Sequence, residues 1–166
     1  CISVTGNAVY LAGQTAVQYQ VSTSGAVPVN GVKNGIYGSA ACGTALNALI
    51  TQSSSQILEN EYARVTSRAI ASEVQVTSAL AGVPAFSTSF TAGNSLARQL
   101  QTVAKLIAAR NTLGTKRQVF MVSLGGFDLH DNLPTQHPGL LTNVADALSS
   151  FYSATVELGI SDKVTA

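Results

Sequence analysis

Residues 119–132, VFMVSLGGFDLHDN, decide how the rest of the chain is read. Val119 to Leu124 is apolar almost without alternation, the pattern of a strand covered on both faces, as in a parallel sheet. Gly125 and Gly126 stop the run, and Asp128, His130 and Asp131 follow at once. The segment reads as a buried strand whose exposed tip is polar. Beyond it a helical period runs from about Pro138 to Leu158, with Leu141, Val144, Leu148 and Phe151 facing inward. Pro138 suits the first helical position and Gly159 closes the helix, while Glu157 opposes the dipole at that end. DKVTA, residues 162–166, then begins a second strand. Strand, loop, helix and strand make a βαβ unit over 115–166, and such crossovers are right-handed in nearly all cases.

Working outward, residues 44–114 are helical. Glycine is absent from 44–81, and Leu58, Tyr62, Val65, Ala69, Val76 and Leu80 fall on one stripe, with Ser72 the lapse. Ser53–Ser55 break this stretch into a shorter helix over 44–52 and a long one over 55–81, ended by Gly82 and Pro84. A third helix spans about 95–111. Leu96, Leu100, Val103 and Ile107 form its apolar face, Asn94 or Ser95 caps it, and Arg110 suits its C-terminal dipole. Residues 1–43 read as β and turns. Val17, Tyr19 and Val21 alternate with Gln18 and Gln20, and a glycine-punctuated loop follows, so this part is a hairpin or a small sheet edge. The fold class is α/β, a partial parallel sheet with flanking helices and a β-rich N-terminal segment, in a single domain of 166 residues. The chain begins at Cys1 and stops within a strand-like run, and so reads as an internal piece of something longer.

Composition excludes several classes of function. Only 10% of residues are charged, against about 25% in an average domain, so Ser, Thr, Gln and Asn supply most of the polar surface. A net charge of +1 gives no field for nucleic acid or anionic lipid. No apolar stretch reaches the roughly 18 residues a membrane span needs. Cys1 and Cys42 are too few for a disulfide scaffold; they are either one bridge tying the first strand to the first helix or two unpaired small hydrophobes.

Ligands in open α/β sheets bind beyond the carboxyl ends of the strands, and the loop over 125–137 occupies that position. Gly125 and Gly126 let the backbone turn sharply and approach a ligand closely. In an extended loop Asp128 and His130 point the same way. A carboxylate and an imidazole converging there can bind a divalent cation, or the carboxylate can orient the histidine for proton transfer. Asp131 and His137 lie within reach of the same mouth, although Asp131-Asn132 is also an ordinary turn pair and His137 an ordinary helix-start residue. Ser123 in VSLGG is not a Gly-x-Ser-x-Gly elbow, and neither a P-loop nor a Gly-x-Gly-x-x-Gly segment is present.

KRQVFMVSLGGFDLHDN, QHPGLL and FYSATVELGISDKVTA together resemble the domain of unknown function 1501 family. EYARVTSRAI and LARQLQTVAKLIAARNTLG extend the likeness over most of residues 44–166. The resemblance implies an exported bacterial protein that uses the twin-arginine route to the periplasm or cell surface. It also implies the alkaline phosphatase/sulfatase-like superfamily, in which metals at strand tips act on phosphate or sulfate esters. The family's Gly-Gly-Phe-Asp-x-His motif falls on Gly125, Gly126, Phe127, Asp128 and His130, which makes Asp128 and His130 the implied ligands of zinc, manganese, magnesium or calcium. Leu129 stands where the family commonly has Thr. His137 matches a recurrent family histidine. The family's Gly-Gly-Asn-Asp segment, its Asp-Phe-Gly-Arg segment and its later Asp-His pair are not in this sequence, so the implied partner is the remainder of a longer chain and hydrolysis by this piece alone is not expected. Two other readings stand beside this one: a non-catalytic surface or interaction protein on the same fold, and a self-assembling module whose sheet edges pair with other chains.

Overall fold

Ile2–Ser3 (β1) runs between two parallel neighbours. It pairs with β2 (Tyr19–Ser22) through Ile2 opposite Tyr19, and with β4 (Phe120–Met121) through Ile2 opposite Phe120. Gly25–Ala26 (β3) extends the far side of β2, giving the order β3-β2-β1-β4. The computed structural model describes residues 1–166 except Asn7, Ala8, Ala12, Thr15, Ala16 and the side chain of Val9. The expected strand-like pieces around the Gly6-Asn7 step therefore fall partly outside the described residues. The class is mixed α/β, with a four-stranded, mostly parallel sheet. The N-terminal strand is thus interior to the sheet rather than a detached hairpin, because both its ladders are filled: Ile2 N–H donates to Val119 O (2.8 Å), Val4 N–H to Met121 O (3.0 Å), and Tyr19 N–H to Cys1 O (2.9 Å).

The chain forms two compact units, residues 1–25 with 79–166 and residues 26–78. In the first, the sheet is accompanied by α4 (Ser95–Ala108) and α5 (Leu133–Glu157), which pack on one another. Helix α4 matches its apolar period: Leu96, Leu100, Val103 and Ile107 are all buried. Leu106, on a different side of the helix, is fully buried as well. A helix buried over most of its circumference sits inside a core, and burying one such leucine contributes roughly 1.5–3 kcal/mol. Asn94 caps α4 by accepting from Leu96 N–H (3.0 Å) and Ala97 N–H (3.2 Å), and its Nδ2 donates to Asn143 O of α5 (2.7 Å). Helix α5 starts five residues before the expected Pro138. Pro134 takes the early position that a missing N–H tolerates, and Pro138 lies inside the helix, where it leaves the Pro134 carbonyl without its usual donor. The buried face of α5 is also rotated from the expected one. Ala147, Phe151 and Ala154 are buried, Val144 is half-buried, and Leu141 and Leu148 are exposed, because small alanines allow α4 to approach where leucines do not.

Two further differences concern the strand run. Only Phe120 and Met121 join the ladder, at the sheet edge, and Val119 is 56% exposed, so the apolar run is not covered on both faces. After α5 the chain makes a 3-10 turn at Ser161–Lys163; Val164 is extended but joins no ladder among the described residues, so the second strand of the expected βαβ unit is not formed.

In the second unit, α1 (Asn30–Lys33) occupies what reads as loop, and α2 (Ala40–Ile50) begins four residues earlier than expected, capped by Ser39 Oγ accepting from Cys42 N–H (3.3 Å). Gly43 allows close packing here: a Cβ would lie 3.1 Å from Gly31 O and 3.2 Å from Val32 O. Helix α3 (Ile57–Ala81) follows the long apolar period. Its Glu73 is 6% exposed and is neutralised by Lys33, with Thr77 Oγ1 donating to the same carboxylate oxygen (2.9 Å). The expected stripe is only partly buried: Val76 is covered, whereas Leu58, Tyr62, Val65 and Ala69 face solvent. Cys1 and Cys42 are both free and exposed, so the bridge is not made. No helix among the described residues is long and apolar enough to cross a membrane.

Candidate functional site

β1, β2 and β4 are parallel, so their carboxyl ends open on the same sheet edge, with the loop that follows β4 leaving beside the end of β1. Ligands in open α/β sheets collect at this edge. The departure of the chain from β4 is fixed by Gln99 of α4. Its Oε1 accepts from Ser123 N–H (2.9 Å) and its Nε2 donates to Ser123 O (2.9 Å), so one side-chain amide replaces the neighbouring strand that an edge position lacks. The apolar period of α4 gave no sign of this role, since Gln99 lies at a polar position of the helix. The sequence signal was only an amide on the helix that precedes the strand.

Past Ser123 the loop turns at Gly126, whose φ of +93° is a conformation L side chains rarely adopt. Space does not decide the residue there, because a Cβ would meet Leu140 Cδ2 at an ordinary 3.6 Å; the backbone does. Gly125 has open space where a side chain would stand. Leu129 N–H then donates to Phe127 O (3.0 Å), a three-residue turn with Asp128 at its apex. This turn brings Asp128 and His130 together, with Nε2 to Oδ2 at 3.6 Å. That distance is too long for a hydrogen bond and leaves room for an ion between the two groups. Both side chains project into solvent, His130 89% and Asp128 94% exposed. At such exposure their direct attraction is worth little.

The other candidates fall elsewhere. Asn132 enters α5 in the left-handed region (φ +53°), which Asn tolerates, and its carbonyl accepts from Thr135 and Gln136 N–H. Asp131 is an exposed residue of that turn. His137 lies within the first turns of α5 and is half-buried against Phe127, the rings edge to face at 6.0 Å. Its ring thus has a packing partner, one that the sequence left open between helix capping and ligation. Among the described residues no three His, Cys, Asp or Glu side chains are grouped to hold a metal ion, so neither Asp131 nor His137 completes a set with Asp128 and His130.

Charge along the segment 118–160 has one sign. Residues 118–160 contain Asp128, Asp131, Asp146 and Glu157 and no Lys or Arg. Such a segment favours a cation over an anion. As donors, one carboxylate and one imidazole fit zinc or manganese better than magnesium or calcium, which favour oxygen alone. Two protein donors are fewer than the three or four of a closed zinc site. The arrangement offers at most two protein donors to a cation.

No protein-family model, no curated protein and no solved structure matches this chain. These comparisons give the resemblance read in the 117–166 segment no support.

Proposed function

We propose that the chain is part of a metal-dependent hydrolase-like protein of the alkaline phosphatase/sulfatase-like type, with Asp128 and His130 as ligands of a divalent zinc or manganese ion and a small phosphate or sulfate ester as substrate. The observation that carries this reading is the convergence of these two side chains, 3.6 Å apart, on the loop leaving the carboxyl edge of a mostly parallel sheet. When bound, the ion would draw charge from an ester oxygen and offset repulsion from the carboxylates. This chain's own contribution is to place the two donors: Gln99 fixes the end of β4, Gly126 turns the loop, and Phe127 on His137 holds its base against α5. The same reading makes the protein exported, in the periplasm or at the cell surface.

The test is turnover of an aryl phosphate and an aryl sulfate by the full-length protein, with zinc or manganese supplied and then chelated. The reading expects metal-dependent release of the phenol, abolished in both Asp128→Ala and His130→Ala variants. Turnover unchanged in both variants overturns the assignment of the ligands. Metal binding without turnover of either ester points instead to a non-catalytic protein on the same fold.

A further inference from the structure

The N-terminal half of α3 presents an exposed apolar stripe. Leu58 is 85% exposed, Tyr62 64% and Val65 41%, and the exposed Ala69 continues the same line. Their spacing of four, three and four residues is that of a seam made to be buried against another helix. Leu49 at the end of α2 is 69% exposed and, with Ile50, Leu58, Tyr62 and Ala63, lines an open groove of about 660 Å³ beside the stripe. Large apolar side chains exposed together along one line form the kind of patch that another surface covers.

The charges beside the stripe say what covers it. Glu61 and Arg68 are seven residues apart, so both lie on one flank of the seam, the acid toward the N-terminus and the base toward the C-terminus. When two copies of a helix pack antiparallel about a two-fold axis, each flank meets the same flank of the other copy. Glu61 of each copy then falls beside Arg68 of the other, forming two identical ion pairs. The bidentate cis pair of Glu61 with Arg64 (2.8 Å for both contacts) leaves the carboxylate lone pairs to accept from a second guanidinium. A parallel arrangement would instead set Arg68 toward Glu73, whose carboxylate is buried and already taken by Lys33 and Thr77. We propose that this face of α3 is a homodimer interface: the stripe Leu58–Tyr62–Val65–Ala69 packs antiparallel on the same stripe of a second copy, with Glu61 and Arg68 paired across the two-fold axis. The proposal is independent of the metal reading, since it uses none of the residues of the β4 loop.

Sedimentation equilibrium of the full chain over a wide concentration range tests it, with charge reversal to locate the interface. The wild-type protein is expected to dimerise reversibly. Glu61→Arg and Arg68→Glu, each replacing two attractions by two repulsions, are expected to raise the dimer Kd about tenfold. The combination of both substitutions restores the pairing with the charges exchanged, and is expected to bring Kd back toward the wild-type value. Helical circular dichroism of each variant distinguishes loss of pairing from loss of α3. A protein monomeric at all concentrations overturns the proposal. So does a dimer whose Kd ignores both single reversals, or one that the double reversal fails to restore. Hydrogen exchange adds an independent reading: protection of residues 57–69 should rise with protein concentration, and protection that is strong and independent of concentration means the face is covered within one chain, which also overturns it.

Discussion

Asn94 shows how much one polar side chain can hold. It satisfies two of the free N–H groups at the start of α4 and binds the Asn143 carbonyl on α5, while itself being only 4% exposed. Asn94→Ala removes a cap and the tie from α4 to the Asn143 carbonyl of α5, and is expected to destabilise the fold by about 1–2 kcal/mol, read as the shift in urea midpoint. Glu157 is a second such residue. Its carboxylate accepts from Ser87 N–H (2.8 Å), Thr88 N–H (3.0 Å) and Thr88 Oγ1 (2.8 Å), and these donors hold its carboxyl below the usual range. Glu73 is lowered too, first by its bond from Lys33 and then by Thr77, against the opposing effect of burial. A carboxyl with a lower pKa folded than unfolded stabilises the fold above its unfolded pKa, about 4.3, and that contribution disappears as pH falls through the folded value. The share of thermal stability these two carboxyls supply should therefore fall as pH drops below the unfolded carboxyl value. The Glu157→Gln variant should lose part of that acid slope, and an unchanged slope would remove Glu157 from the account. From sequence, Glu157 looked only like a misplaced charge at a helix end; its partners lie 69 and 70 residues away, and no local pattern can reveal them.

At the scale of elements, α4 was legible and the strand after it only half so. The cap and period of α4 are local properties that agree with its burial on several sides, although the helix ends at Ala108, before the expected 111, and leaves Arg110 beyond its last turn. Leu106→Ala tests that burial. It should cost about 2–5 kcal/mol, measured by denaturant unfolding, whereas Leu141→Ala on the exposed side of α5 should stay within about 0.5 kcal/mol. Helix α5 was found but misplaced, because two prolines compete for its N-terminus. Asn132 can enter the left-handed region and begin the helix before Pro134, so the later Pro138 becomes an internal residue. The apolar run at Val119–Leu124 suggested a central strand because an uninterrupted apolar string carries no information about its neighbours. What the sheet supplies is one partner, β1, and the Gln99 amide stands at the other end. The long stripe on α3 fails in a different way. Its period is real, yet its N-terminal half is exposed, which is the pattern expected when the covering surface belongs to another molecule.

For the whole molecule, the central claim is that the edge of the sheet presents a cation-binding pair. Asp128 and His130 do lie side by side, but not through the alternation of an extended loop that the sequence suggested: the Leu129–Phe127 turn sets them there, and neither it nor the packing of His137 on Phe127 follows a local sequence pattern. With two protein donors exposed to water, fewer than the three or four of a closed site, binding is expected to be weak, on the order of 10⁻³ M, comparable to the weakest extracellular calcium modules. The most direct measurement follows the imidazole proton signals of His130 and His137 by NMR during titration of the full chain with manganese. The account predicts selective paramagnetic broadening of His130, saturable in that concentration range and abolished by Asp128→Ala, with His137 affected less. Equal broadening of both histidines, or broadening of His130 that persists in Asp128→Ala, would contradict it.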